Sequence, residues 1–173
     1  DAVELMDIGA NFLREHIRPE ARIHYVIKDG GEAPNVVPDY AKVWYFVRDK
    51  DRQGVDYLYE RLCKIAEGAA LMTDTTYEIH LVTGVYNLLL NESMSKVLRK
   101  NLELVGAPQF TEKEQEFARG LQKNIGKPQD GLSTKIDEFV NLKDPVSGGS
   151  TDVGDVSWIT PVASLRTACY PLG

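Results

Sequence analysis

The sequence predicts an α+β fold in which helices cover one face of an antiparallel sheet. Apolar residues recur at helical spacing over residues 1–17 and 53–71. β-branched and aromatic residues concentrate in residues 21–28 and 40–48, and side chains alternate in character over residues 75–83. The elements therefore follow the order helix, strand, strand, helix, strand.

One further strand before the first helix would complete a β-α-β-β-α-β order, the split βαβ or ferredoxin-like arrangement. The apolar spacing of the first helix begins at once after Asp1, with no capping segment before it. We therefore expect the first strand to be missing and this chain to be a piece of a longer protein. Residues 1–90 are predicted to form this domain, with both helices on one face of the sheet.

The two best-defined strands are bounded by local signals. The first helix is expected to end at Arg18-Pro19, because proline disfavours a helical residue before it. The turn residues that begin at Asp29 end the strand of residues 21–28. Alternation in residues 40–48 predicts two faces for that strand, one carrying Val43, Tyr45 and Val47 and the other carrying Trp44, Phe46 and Arg48.

Residues 91–173 differ in character and are interpreted as a helical and loop-rich extension. A helix is predicted over residues 91–105, opened by an Asn-Glu-Ser cluster suited to capping. A second helix to residue 124 follows Thr111, where the spacing to Glu114 resembles a capping box. Gly, Ser, Asp and Pro are frequent in residues 126–155, which predicts a loop with one short helical turn near residues 134–141.

The composition narrows the classes of function. The chain has 173 residues, 43% hydrophobic and 27% charged, with a net charge of −6. An acidic balance argues against a nucleic-acid partner, and no apolar run is long enough to span a membrane. The two cysteines, Cys63 and Cys169, are far apart in sequence and are expected to be free thiols in a reducing cytoplasm.

The first candidate site combines an amide and a guanidinium. Asn35 lies in the linker between the two strands, and Arg48 lies at the end of the second strand. An Arg fork binds a carboxylate with two hydrogen bonds, and an Asn amide adds a neutral donor. The alternative is structural: Asn35 shapes the turn and Arg48 is a surface charge.

The second candidate site is the pair Asp152 and Asp155. Carboxylates suit divalent cations, so these two residues could be the carboxylate pair of a complete small enzyme. No histidine lies near them in sequence, and the chain has three histidines in all. A two-metal site needs roughly five protein ligands, which this chain does not supply.

Two stretches resemble a known family. HYVIKDGGEAPNVVPDYAKVWYFVR, residues 24–48, is similar to the signature of lid domains in M20 metallopeptidases and amidohydrolases. GSTDVGDVSWITP, residues 149–161, resembles a catalytic-domain segment of the same family and follows in the expected order. The resemblance implies an amide-bond hydrolase whose catalytic domain holds two metal ions, zinc or manganese, that this piece would not itself bind.

The resemblance also implies roles for particular residues. Asn35 and Arg48 match lid residues that reach across a homodimer to hold the substrate carboxylate, so this piece would supply dimerisation and substrate recognition. His24 is a further candidate for substrate binding, although the lid histidine of relatives belongs to a segment that would precede Asp1. Asp152 and Asp155 would orient neighbours by hydrogen bonds.

The expected substrate is a small amide with a free carboxylate: an acyl-amino acid, a dipeptide or an aminobenzoyl-glutamate type compound. His16 and His80 lie within helix or strand patterns and are interpreted as structural. A non-catalytic ferredoxin-like domain for small-molecule binding or regulation remains the alternative function, since a fold alone does not select an activity.

Overall fold

A computed structural model describes residues 1–138 and 151–171 of the chain and confirms the α+β class. Its regular elements include one two-stranded antiparallel sheet, β1–β2. In chain order they are α1 Ala2–Leu13, a 3₁₀ turn Arg14–His16, β1 Arg22–Asp29, β2 Lys42–Arg48, α2 Arg52–Thr73, α3 Glu92–Val105, α4 Glu112–Asn124 and α5 Val153–Ser157. No helix in these ranges is both long and apolar enough to cross a membrane.

The chain divides into two compact units, and the first contains residues 1–87 together with 151–155. Its sheet is a hairpin whose register pairs Arg22 with Arg48, Tyr25 with Tyr45 and, after an irregularity at the end of β1, Asp29 with Lys42. The predicted alternation of β2 is confirmed. Val43, Tyr45 and Val47 are half-buried, whereas Trp44, Phe46 and Arg48 are exposed.

The core of this unit lies between one face of the hairpin and the helices α1 and α2. Leu58 of α2 is 1% exposed and Ile23 of β1 is 3% exposed, so the helix and the sheet exclude water from each other. Ile17, Tyr45, Val47 and Ile65 pack around the margin. The buried cluster consists of Ala10, Leu13, Ala21, Ile23, Leu58 and Leu62.

Helix α1 packs through a face that carries mostly small residues, and its largest apolar side chains are exposed. Ile8 and Phe12 are 48% and 63% exposed, while Asp7, Ala10 and Leu13 are buried. A side chain on Gly9 would put its Cβ 2.7 Å from Cγ2 of Ile65. Small residues therefore bring α1 close to α2, and the larger side chains remain outside.

The strand predicted over residues 75–83 is wrong. Helix α2 ends at Thr73, Asp74 takes a left-handed conformation, and residues 75–83 have no regular structure. Tyr77, Ile79 and Leu81 are 48%, 42% and 65% exposed. Alternation of side chains provides a face for packing, but a strand also needs the backbone of a neighbour, and in the described residues β1 and β2 pair with each other alone.

The second unit contains the described residues 88–138 and 156–171. The capping predictions are confirmed: the Asn91 side chain accepts a 2.9 Å hydrogen bond from the backbone N–H of Met94, and Thr111 and Glu114 form a capping box. Buried Gln122 accepts a 2.8 Å bond from the backbone N–H of Gly131. Helix α4 is thereby joined to the loop that follows it.

The structure differs from the prediction for residues 126–155 in two details. Residues 134–138 contain no helical turn, and the rest of that predicted turn lies outside the described residues. Helix α5 begins at Val153, inside the stretch predicted as loop. Thr151 starts it, because its hydroxyl accepts a 3.3 Å bond from the N–H of Val153 and its carbonyl accepts a 3.2 Å bond from the N–H of Gly154.

Candidate functional site

The face of the β1–β2 hairpin that points away from α1 and α2 carries two of the residues singled out by the sequence. His24 lies opposite Phe46, and Arg48 lies opposite Arg22. Residues directly opposite each other share a face of the sheet, so His24 and Arg48 are diagonal neighbours, about 7–8 Å apart. Both side chains are exposed. The structure therefore brings an imidazole and two guanidinium-bearing residues together at one end of the hairpin.

Asn35 lies in the connection between the strands, at the other end of the hairpin from Arg48. Gly31 has a left-handed φ of 108°, and a Cβ built on it would lie 2.5 Å from Cγ of Pro38, so the connection closes on itself around Asn35. Strand β2 rises about 20 Å between Lys42 and Arg48. For Asn35 and Arg48 to contact one anion, this connection must fold back along the sheet.

Arg22 was not singled out by the sequence. Its Nη1 donates to the carbonyl of Ala21 at 2.7 Å and to the carbonyl of Pro19, which holds the side chain at the start of β1. Two arginines directly opposite each other in a sheet repel. Both side chains end in guanidinium groups, whose N–H donors have the geometry to bind a carboxylate or a similar anion.

Asp152 and Asp155 lie at the start of α5 and have different surroundings. The Asp155 carboxylate accepts a 2.7 Å bond from the backbone N–H of Tyr86, whose ring lies 5.0 Å from the guanidinium of Arg52. Asp152 is 3.5 Å from the hydroxyl of Thr151. Asp155 thus orients the backbone at residue 86.

A side chain at position 154 would not fit, because its Cβ would lie 2.0 Å from the carbonyl oxygen of Tyr86. Gly154 therefore permits the close approach of α5 to this segment. Within residues 1–138 and 151–171, no three His, Cys, Asp or Glu side chains come together in a group that could hold a metal ion.

The structure also contains a polar cluster that the sequence analysis missed, between α1 and the sheet. The Tyr45 hydroxyl donates to the carboxylate of Asp7, which is 6% exposed. Arg14 donates to the carbonyl of Ile23 at 2.6 Å and lies 5.7 Å from the ring of Tyr25. One sign of this cluster was present in the sequence: Asp7 is charged, yet its helical spacing puts it on the same face of α1 as Ala10 and Leu13. These contacts hold α1 against the sheet.

Because Asp7 is buried, the contribution of this cluster to stability depends on pH. Loss of solvent raises the pKa of Asp7 above its ordinary value of 3.8; the Tyr45 hydrogen bond lowers it and the nearby Glu4 raises it. Burial and the Asp7 carboxylate likewise raise the pKa of Tyr45. A carboxyl that holds its proton more tightly in the folded state contributes most to stability below 3.8 and progressively less as pH rises through the raised pKa.

We expect Asp7→Asn to remove that dependence, since asparagine keeps an oxygen acceptor for Tyr45 and carries no charge. The free energy of unfolding of the wild type, relative to the variant, should fall as pH rises from below 3.8 through the raised pKa of Asp7. Urea unfolding of both proteins across this range measures it. Glu67→Gln, at an exposed position on α2, serves as the control, and a wild-type to Asp7→Asn difference that is constant with pH would contradict the expectation.

No family model matches the chain, but individual proteins do. The chain is 36% identical to one subunit of the p-aminobenzoyl-glutamate hydrolase of Escherichia coli K12, over all of this chain and 41% of that protein. It is 27% identical to Xaa-Arg dipeptidase of Mus musculus, over 93% of this chain and 31% of the relative. It is 38% identical to N-acetyldiaminopimelate deacetylase of Leuconostoc citreum, over 34% of this chain and 15% of the relative. The chain spans less than half the length of these relatives.

Proposed function

Because this chain is homologous to M20-family amidohydrolases and peptidases, we propose that it is part of a hydrolase that cleaves an amide bond in a small substrate with a free carboxylate. Similarity over the whole chain to an aminobenzoyl-glutamate hydrolase carries this proposal. A dipeptidase and a deacetylase among the relatives support a bond of the same chemical class. Acyl-amino acids, dipeptides and aminobenzoyl-glutamate type compounds are the substrates that we propose.

The role of this piece is recognition and assembly. Arg48, beside His24 and opposite Arg22, presents a fork of N–H donors that suits a carboxylate, and binding in this way fixes the substrate's orientation. Asn35 adds a neutral donor when the connection of residues 30–41 folds along the sheet. His24, on the same face, stands within reach of a group next to the carboxylate.

The chemical step takes place in another part of the protein. We propose zinc or manganese as the metal, in the part of the enzyme outside this piece, where it supplies an activated water. The described residues 1–138 and 151–171 hold no group of three ligand side chains, so no step of the reaction is assigned to them. Asp152 and Asp155 are assigned structural roles.

Hydrolysis by the whole protein tests the proposal. Purified protein should release the amine from aminobenzoyl-glutamate, from a dipeptide or from an acetylated amino acid. A chelator should stop the reaction, and zinc or manganese should restore it. The 173-residue chain alone should release nothing. Failure of the whole protein on all three substrate types, with either metal present, would reject the assignment.

We further propose that the piece forms a homodimer through β1. In the part of the chain that the structure describes, β1 pairs with β2 on one side and offers its other edge, and such an edge is a template for a second copy. Antiparallel pairing of β1 with itself about a twofold axis between Tyr25 and Val26 places Arg22 of each copy opposite Asp29 of the other. Two ion pairs then favour this register.

Reversing one charge tests that register. Asp29→Lys should raise the dissociation constant of the dimer roughly tenfold, because both ion pairs become repulsive. Adding Arg22→Glu should restore the affinity. Sedimentation equilibrium of the 173-residue chain measures both, with Glu67→Lys as a charge-matched control on α2. A wild-type chain that stays monomeric at high concentration, or a double variant no tighter than Asp29→Lys, would reject it.

A further inference from the structure

A partly open cavity lies in the first unit, where the segment after α1 meets the start of α2. Its volume is about 230 Å³, far more than one water molecule needs. Polar and apolar side chains share its walls, and they include His16, Arg18, Asp49, Gln53, Tyr57 and Leu58. We call it the α1–α2 cavity. It is separate from the residues assigned above to carboxylate recognition.

Asp49 places a buried carboxylate in the wall of this cavity. Its side chain is 3% exposed. The Oδ1 atom accepts a 2.7 Å bond from the backbone N–H of Lys50 and lies 3.8 Å from Nη1 of Arg18. Within residues 1–138 and 151–171, no donor is bonded to Oδ2. A buried carboxylate oxygen without a donor costs free energy, so Oδ2 favours a ligand that supplies one.

The start of α2 determines where this oxygen lies. A Cβ built on Gly54 would collide with Oδ2 of Asp49, so glycine is what lets the carboxylate lie against the first turn of the helix. The N–H of Gly54 donates a 2.7 Å bond to the capping side chain of Asp51. That N–H is therefore already bonded, and the donor for Asp49 has to come from inside the cavity.

The charges around the cavity favour a cation. Nη1 of Arg18 lies 3.1 Å from Asp51 and 3.8 Å from Asp49, so two carboxylates share one guanidinium. One negative charge remains in this group. An anion in the cavity would be repelled by the buried carboxylate of Asp49, and that repulsion is strong where water is excluded. A positively charged donor suits both the free oxygen and the net charge.

The other walls indicate the shape of that cation. Leu58 is 1% exposed and Tyr57 is 51% exposed, and both line the cavity. The tyrosine ring can cover an alkyl chain and also attracts a cation placed over its face. Side-chain oxygens of Gln53 and Tyr57 can each accept a further hydrogen bond. An ammonium group with three N–H donors on a short alkyl chain matches these walls.

We propose that the α1–α2 cavity binds a small primary alkylamine in its protonated form. The ammonium group donates to Oδ2 of Asp49, and the alkyl chain lies against Tyr57 and Leu58. This site is independent of the proposed function, because neither amide hydrolysis nor carboxylate recognition requires it. Hydrolysis by the whole protein can fail without changing any of the results expected below.

Titration of matched probes into the 173-residue chain tests the site. The probes n-butylammonium, 1-butanol and butanoate have similar alkyl chains and differ in the charge of the polar end. Backbone amide NMR signals of Lys50 and Gly54 report binding, because these N–H groups donate to Asp49 and Asp51. We expect n-butylammonium to bind with a Kd of about 1 mM and the other two probes to bind at least roughly tenfold more weakly.

A lysine side chain of another protein carries the same chemical group as a free amine. The peptide acetyl-Gly-Lys-Gly-amide distinguishes the two sources. It should bind more weakly than n-butylammonium, because its backbone has to remain outside the cavity. Tighter binding of the peptide would overturn the assignment to a small molecule.

Variants assign binding to the carboxylate and to the ring. Asp49→Asn keeps the shape of the side chain and removes its charge, so it should weaken n-butylammonium binding roughly tenfold. Asp56→Asn removes an exposed carboxylate from α2 and is the charge-matched control, with no change expected. Tyr57→Ala should weaken binding roughly threefold, whereas Tyr77→Ala, at a similarly exposed ring, should not.

Several results would overturn the site. Unchanged amide signals of Lys50 and Gly54 up to about 50 mM n-butylammonium would show that the cavity does not bind this class of ligand. Equal affinity for n-butylammonium and 1-butanol would remove the role of the carboxylate, as would wild-type affinity in Asp49→Asn. Circular dichroism checks folding. If Asp49→Asn is unfolded, Tyr57→Ala decides, since its side chain is half exposed, and wild-type affinity in that variant would place the amine elsewhere.

Discussion

Arg48→Ala in the whole protein is expected to lower kcat/KM by roughly 30- to 1,000-fold, which corresponds to about 2–4 kcal/mol of lost transition-state binding. The reason is that Arg48 stands beside His24 and opposite Arg22 at the positive end of an exposed sheet face, where a guanidinium can make two charge-assisted bonds to one carboxylate. Steady-state kinetics on a carboxylate substrate measure the loss.

Two further variants test whether that loss comes from the guanidinium group of Arg48. Arg48→Lys keeps the charge but not the fork, so it should recover part of the activity. Arg61→Ala removes an exposed arginine from α2 and should leave kcat/KM unchanged. A substrate whose carboxylate is amidated should react equally slowly with wild type and Arg48→Ala. If Arg48→Ala matches wild type on the free carboxylate, Arg48 has no role in binding it.

Most of the helices and both strands were predictable because their signals are local. The capping box of Thr111 and Glu114 uses atoms three residues apart, and the Asn91 cap does the same. Alternation in residues 42–48 is likewise a property of one strand, and it correctly separated Tyr45 from Phe46. Such elements are specified before any long-range contact forms.

What each element packs against could not be predicted from its own residues. Residues 75–83 alternate as a strand would, yet a strand exists through hydrogen bonds to a neighbour that the pattern does not reveal. Helical spacing in residues 1–17 likewise left the buried face of α1 open: Ile8 and Phe12 are exposed, and the close approach permitted by Gly9 determines which face packs. Periodicity indicates that a face exists without identifying its partner.

The candidate site was predictable to the same extent. Alternation placed Trp44, Phe46 and Arg48 on one face, because the face of each residue depends only on its position within one strand. The pairing of Arg22 with Arg48 depends on the register between strands that are separated by a 12-residue connection, from Gly30 to Ala41. Tyr45 and Asp7 are 38 residues apart in sequence, so their hydrogen bond had no local signal beyond the polarity of Asp7.

Leu58→Ala is expected to destabilise the first unit by about 2–5 kcal/mol. Leu58 is 1% exposed and belongs to the cluster that joins α2 to α1 and to Ile23 of the sheet. Truncation removes apolar contacts and leaves a cavity that the surrounding helices fill incompletely. Urea unfolding followed by Trp44 fluorescence, in a Trp158→Phe background, measures the change within this unit.

Leu71→Ala, on the same helix but 82% exposed, is the matched control and should change the free energy of unfolding by less than about 0.5 kcal/mol. Equal effects of the two substitutions would contradict the burial of Leu58. Leu58 packs against the covered side of the sheet, so Leu58→Ala in the whole protein should leave kcat/KM unchanged well below its unfolding transition. Arg48→Ala should instead lower kcat/KM, because its side chain lies on the exposed side of the sheet, away from the core.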